Sequence, residues 1–165
     1  MASSLPTASF QPAEGPWADD VIELQVIRVL QQGDLSRRSP ETAFLAGSPE
    51  IRFSIHLRVS GERVGRIHLR ITDEPGIVDR LGHAGYAVDP EHRRQGHATR
   101  ALHLLLDVAR KHSLQEVVVL IEPDNTPSRR AVERAGFSFE GETDRGTEAT
   151  GLGLGPKICR YSFEL

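Results

Sequence analysis

The stretch that decides the fold is HAGYAVDPEHRRQGHATRALHLLL, residues 83–106. Residues 83–88 read as a short strand, Asp89 to Gly96 as a polar loop, and Ala98 to Lys111 as an amphipathic helix with Leu102, Leu105, Leu106 and Val108 inward. A strand that runs through a glycine-containing loop into a helix brings several unpaired backbone N–H groups and the positive end of the helix dipole to one point. Such a point holds a phosphate or pyrophosphate. Gly96 lets the backbone approach the anion, small Ala98 keeps the first helical turn clear, and Arg93 and Arg94 add positive charge. A loop of this kind can also serve only as a connection. The chain contains no G-x-x-x-x-G-K-[ST], which excludes a P-loop, and no G-x-G-x-x-G followed by an acid, so a dinucleotide site has no support.

On the N-terminal side, residues 51–59 and 64–72 both alternate apolar and polar side chains, as half-buried strands do. Matching their apolar faces predicts a hairpin whose paired residues sum to 124, with Gly61, Glu62 and Arg63 in the turn. That register sets Arg58 against Arg66 and His56 against His68, an arrangement that needs an acid or solvent over it. The polar face is either solvated or a surface for a substrate or partner. Further upstream, residues 21–30 read as a strand that switches register near Ile27. Residues 31–50 hold at most a short helix near Pro40 to Ala46, and residues 1–20, rich in Pro, Ala and Ser, form a flexible arm.

On the C-terminal side, residues 73–82 read as a connection and Glu116 to Ile121 as a buried central strand. Pro127 to Ala135 forms a second helix, capped by Asn125 or Thr126 and stopped by Gly136. Residues 137–140 and 158–165 are the last strands, joined by a flexible glycine-rich loop, residues 146–155. Residues 21–165 are one domain.

The loop matches R-x-x-G-x-A at Arg93, Gly96 and Ala98, preceded by G-Y-x-V-D-P at residues 85–90. A second block, EPDNTPSRRAVERAGFSFEG at residues 122–141, carries N-x-x-S and then G-F at Asn125, Ser128, Gly136 and Phe137. With both blocks in this order, residues 51–141 resemble the GNAT N-acetyltransferases. The resemblance implies an α/β (α+β) fold: a mixed, mostly antiparallel sheet flanked by helices and splayed between the strands at 83–88 and 116–121, with a shortened N-terminal half. It implies acetyl-CoA as co-substrate. The backbone of Ala87 and Val88 would hold the pantetheine, the loop Arg93, Arg94, Gln95, Gly96, His97, Ala98 and Thr99 the pyrophosphate, and Asn125 and Ser128 the far wall.

Direct attack in a ternary complex requires that the acceptor amine lose a proton, that the oxyanion meet a donor and that the departing thiolate be stabilised. Many relatives carry a Glu where this chain has His83. An imidazole, with an unperturbed pKa of about 6.5, suits that base role; the alternative is a structural histidine at a strand start. The helix tyrosine of many relatives is replaced by Val132, which leaves Ser128 or Tyr161 as the acid, or no dedicated acid at all. Arg70 and His83 are acceptor contacts in this reading, and an arginine there favours a carboxylate or phosphate on the substrate. The expected acceptor is a small-molecule primary amine. The alternatives are a protein N-terminus or lysine, or a module that binds coenzyme A without catalysis. The short N-terminal half leaves the acceptor site open or completed by a partner subunit, as in a homodimer.

The 165 residues carry a net charge of −3, yet residues 51–110 hold ten Arg against seven acids. The whole is no polycation that would coat nucleic acid or an anionic membrane, and the basic run from His92 to Arg100 lacks interleaved aromatics. A lone Cys159 fits a reducing compartment and reads as a small buried hydrophobe rather than a nucleophile. The seven histidines show neither the spacing nor the cysteine neighbours of a metal site, so no metal is expected. No leader or membrane-spanning run is visible, and the expected location is cytoplasmic. The predominance of Arg over Lys points to a GC-rich bacterial genome.

Overall fold

A computed structural model of the chain describes residues 11–31, 48–145 and 155–165. Its elements run β1 (Trp17–Ala18), β2 (Ile22–Leu30), β3 (Glu50–Leu57), β4 (Arg63–Arg70), α1 (Pro75–Leu81), β5 (Ala84–Val88), α2 (His97–Lys111), β6 (Glu116–Ile121), α3 (Thr126–Arg134), β7 (Ser138–Asp144) and β8 (Lys157–Glu164). The strands form one sheet in the order β1-β2-β3-β4-β5-β6-β8-β7. All neighbours are antiparallel except β5 and β6. The sheet is therefore the mixed, mostly antiparallel one that the family resemblance implied.

One face carries the core. Ile51, Phe53, Ile55, Ile67 and Leu69 point there from β3 and β4, against Leu102, Leu105, Leu106 and Val108 of α2. Helix α3 lies beside α2, with the Thr99 hydroxyl donating to the Ala131 carbonyl at 3.3 Å. The opposite face is covered by α1 over β6 and β8, where Ile77 and Val78 are buried and Arg160 pairs with Asp79 at 3.1 Å. Among the described residues no helix is long and apolar enough to cross a membrane.

Four expectations change. Paired residues of β3 and β4 sum to 120 from Glu50 to Ile55, not 124: Ile51 faces Leu69 and Phe53 faces Ile67. Each partner moves by four positions, an even number, so every side chain keeps its face. Alternation fixes that parity, but the turn fixes the offset. Here the turn spans residues 58–60, with Gly61 N–H donating to Leu57 O at 2.8 Å. Arg58 no longer faces Arg66, nor His56 His68; Glu50 faces Arg70 instead. The expected connection at residues 73–82 contains α1, whose seven residues bury only two side chains and so leave little periodic signal. Strand β7 continues past Glu140 to Asp144 because an edge strand needs no apolar alternation. Finally, the arm placed at residues 1–20 stops short: Trp17 pairs with Leu24 and is only 9% exposed. Residues 1–10, the short helix near Pro40 to Ala46 and residues 146–154 of the glycine-rich loop lie outside the described residues.

Candidate active site

Strands β5 and β6 meet at one residue pair, Ala84 and Val119, and then part. Just below that point His83 fastens them. Its N–H donates to Val118 O at 2.7 Å, and its ring Nδ1 accepts from Val118 N–H at 2.9 Å. A backbone N–H only donates, so the ring proton sits on Nε2 and is given to Thr72 O at 2.9 Å. The ring is 2% exposed, and burial lowers its pKa, keeping it neutral. Neither nitrogen has a lone pair or proton to spare, so the expected base and acceptor roles do not fit His83; the structural alternative does.

Above the apex, one edge of β5 is open. Asp89 N–H donates to Val64 O at 2.9 Å, and the Ala87 carbonyl points at Gly65, where a Cβ would stand 2.4 Å from it. Backbone groups alternate sides along a strand, so those of Tyr86 and Val88 face the opening. The Ala87 carbonyl, expected to meet pantetheine, is turned into the sheet. Arg93 folds back to donate from Nε to Val88 O at 3.0 Å.

At the mouth of the opening, Gly96 caps α2 with a left-handed φ of 82°, a conformation that suits glycine, and no side chain caps the helix. The first-turn amides of His97, Ala98 and Thr99 are thus left to a ligand. Arg94 is exposed, and Gln95 reaches back to Glu91 O at 3.5 Å. The His97 ring turns inward and is 4% exposed, so its side chain, unlike its amide, is not at the mouth.

The far wall is α3. Asn125 caps it by accepting from Ser128 N–H at 3.3 Å, so its carbonyl oxygen serves the helix. The Ser128 carbonyl accepts from the Tyr86 hydroxyl at 3.0 Å, linking the two walls. Burial pushes the Tyr86 phenol up to about 12. Tyr161 is fully buried: its hydroxyl donates to Glu133 Oε1 at 3.0 Å and accepts from Arg129 Nε at 2.9 Å. Those bonds leave it no proton for a departing thiolate, so the acid role does not fit it. The Ser128 hydroxyl has no hydrogen-bond partner among the described residues. Cys159 is buried, 1% exposed.

A family profile described as an acetyltransferase (GNAT) domain matches residues 24–138. The chain belongs to the GNAT family. None of the curated proteins is similar enough in sequence to match. Among solved structures, a ribosomal-protein-S5-alanine acetyltransferase from Vibrio fischeri is 17% identical, with a TM-score of 0.59 over 95% of this chain and 96% of that one. A spermidine N-acetyltransferase from Vibrio cholerae is 20% identical, with a TM-score of 0.55 over 70% and 65%. The microcin C7 self-immunity acetyltransferase, solved with acetyl-CoA and AMP, is 18% identical, with a TM-score of 0.56 over 70% of this chain; the match spans 61% of its own length. At these identities the likeness is one of fold.

On the hairpin side of the GNAT cleft a buried acid, Glu50, 2% exposed, serves Arg52 and Arg70 rather than the Arg58 and Arg66 for which an acid was expected. Arg52 Nε lies 2.6 Å from its Oε1 and Arg70 Nε 3.1 Å from its Oε2. Burial alone would raise the Glu50 pKa, but the charges of His68, Arg70 and Arg52 hold it below the usual value. Arg70 also donates to Gly82 O at 3.2 Å. It is thereby committed to the fold, and the expected acceptor role does not fit it. His68 leans over Gly85, whose missing side chain makes room: a Cβ there would be 2.7 Å from the ring. Burial, then Arg70, lowers its pKa to about 4. Sequence reasoning quoted Tyr86 within a motif but gave it no role, and it missed Glu50 because the expected register placed that residue outside the hairpin. Among the described residues no His, Cys, Asp and Glu side chains gather as a metal site.

Proposed function

We propose that the chain is an acetyl-CoA-dependent N-acetyltransferase that passes the acetyl group to a small-molecule primary amine by direct attack in a ternary complex. The observation that carries this reading is the pairing of an uncapped α2 N-terminus with a sheet that opens after one residue pair. An anion at the first and a linear amide-bearing arm in the second describe the two ends of coenzyme A. The amides of residues 94–99 hold the pyrophosphate, helped by Arg93 and Arg94. The backbone of Tyr86 and Val88 borders the pantetheine, and Ser128 and Asn125 border it from α3.

The amine nitrogen attacks the thioester carbonyl as the C–S bond breaks; one amine proton passes to solvent water, and coenzyme A departs as a thiolate, which solvent reprotonates. Neither His83 nor Tyr161 takes part. With both committed to the fold, positioning and backbone donors supply the acceleration, and the Ser128 hydroxyl is the remaining donor near the leaving group. No metal is invoked. The test is release of free thiol from acetyl-CoA with a panel of small amines and amino-terminal peptides. Release with small amines above the rate of hydrolysis is the expected result. Release with peptides alone would replace the small-molecule acceptor, and release with none would overturn the enzyme.

A further inference from the structure

The hairpin and its turn carry five arginines, and four have partners. Arg52 and Arg70 bind Glu50, Arg58 Nη1 donates to Asp19 O at 2.7 Å, and Arg63 lies 3.4 Å from Asp89 Oδ2. Arg66 alone of the five has no ionic or hydrogen-bond partner among the described residues, and it is exposed.

Its place in the sheet is specific. Arg66 stands directly opposite Ala87 on β5, and its other neighbour is Ser54 on β3. Arg66, His68, Gly85 and Ala87 share the face turned away from α2 and α3. Strands lie about 4.8 Å apart, so the Arg66 backbone is about 5 Å from β5 and about 10 Å from the middle of the cleft, within reach of a long side chain. Along β5 this face presents Gly85 and Ala87, which leave room above that strand. Of the carboxylates around the opening, Glu50 is taken by two arginines, Asp89 lies 3.4 Å from Arg63 and Glu122 lies 3.0 Å from Arg145, while Glu23 stands on β2, two strands from Arg66.

Resting on the acetyltransferase reading, we propose that Arg66 is the anion-recognition residue of the acceptor site, and that the acceptor is a small amine carrying a carboxylate or phosphate. With α2 and α3 on the cofactor side of the cleft, the amine arrives over the opposite face. A planar guanidinium beside that route forms two parallel bonds to an oxyanion, which orients the nitrogen at the other end of the molecule toward the thioester. The substrate thus supplies the negative charge that no described residue brings to Arg66.

The test compares β-alanine, phosphoethanolamine and ethanolamine as acceptors, read by thiol release, with wild type, Arg66→Ala and Arg66→Lys. Acetyl-CoA stabilisation of each variant is measured alongside. Wild type is expected to favour at least one of the two anionic amines over ethanolamine by about tenfold or more in kcat/KM. Arg66→Ala should erase that preference, raising the acceptor KM for the anionic amines about tenfold more than that for ethanolamine while the acetyl-CoA KM holds, and Arg66→Lys should keep part of it. The carboxylate and phosphate arms show which oxyanion is preferred. Equal use of all three amines by wild type, or a preference that survives Arg66→Ala, overturns this inference and leaves the acetyltransferase intact. Acetyl-CoA stabilisation without thiol release from any amine overturns the acetyltransferase reading itself, and this inference with it.

Discussion

His83 shows how one residue type supports two readings that only its neighbours separate. Its position before G-Y-x-V suggested a base, but its ring spans Val118 N–H and Thr72 O at the point where β5 and β6 join. His83→Ala leaves two buried backbone groups without partners, each costing about 1–3 kcal/mol. The melting temperature should fall by several degrees, while the pH dependence of kcat/KM keeps its shape. A kcat reduced a hundredfold in a variant that melts like wild type would restore the base.

The elements on either side of the cleft differ in how plainly the sequence announces them. Helix α2 has a full apolar stripe, and its predicted start at Ala98 differs from the observed one by a single residue. The hairpin was right in its faces but wrong in its offset, because alternation is blind to even slips and no residue of 51–72 marks the turn as strongly as the charge pairing of Glu50 with Arg70 does. The cleft itself was legible as a motif, whereas which side chains are tied to backbone across it was not, since those bonds join residues far apart in sequence. Helix α3 depends on its cap: Asn125→Ala should destabilise the protein by about 1 kcal/mol and weaken acetyl-CoA binding, as read by denaturant unfolding and titration. Full stability with unchanged binding would show that α3 holds its place without Asn125.

For the whole molecule, buried and half-buried histidines contribute to the response to acid. His68, His83, His97 and His112 all have pKa values lowered first by burial. The unfolded chain binds protons to these groups near pH 6.5, whereas folded His68 waits until about 4. Their contribution to stability is therefore complete above pH 6.5 and is lost progressively as the pH falls toward 4. The melting temperature should be lower at pH 5.5 than at pH 7.5, and equal values would show that these rings are solvated. The cofactor acts in the opposite sense: acetyl-CoA at a hundred times its Kd should add about 2.7 kcal/mol to stability.

Whether acetyl-CoA sets its pyrophosphate on the Gly96 loop is decided by titration calorimetry of acetyl-CoA into wild type and Gly96→Asp. Aspartate tolerates the left-handed φ of 82° better than most residues but sets a carboxylate where the phosphates would lie. One site per wild-type chain is expected, and a site at least about tenfold weaker in a Gly96→Asp protein that still melts cooperatively. No binding to wild type, or equal affinity in the two proteins, would place the cofactor elsewhere or remove it.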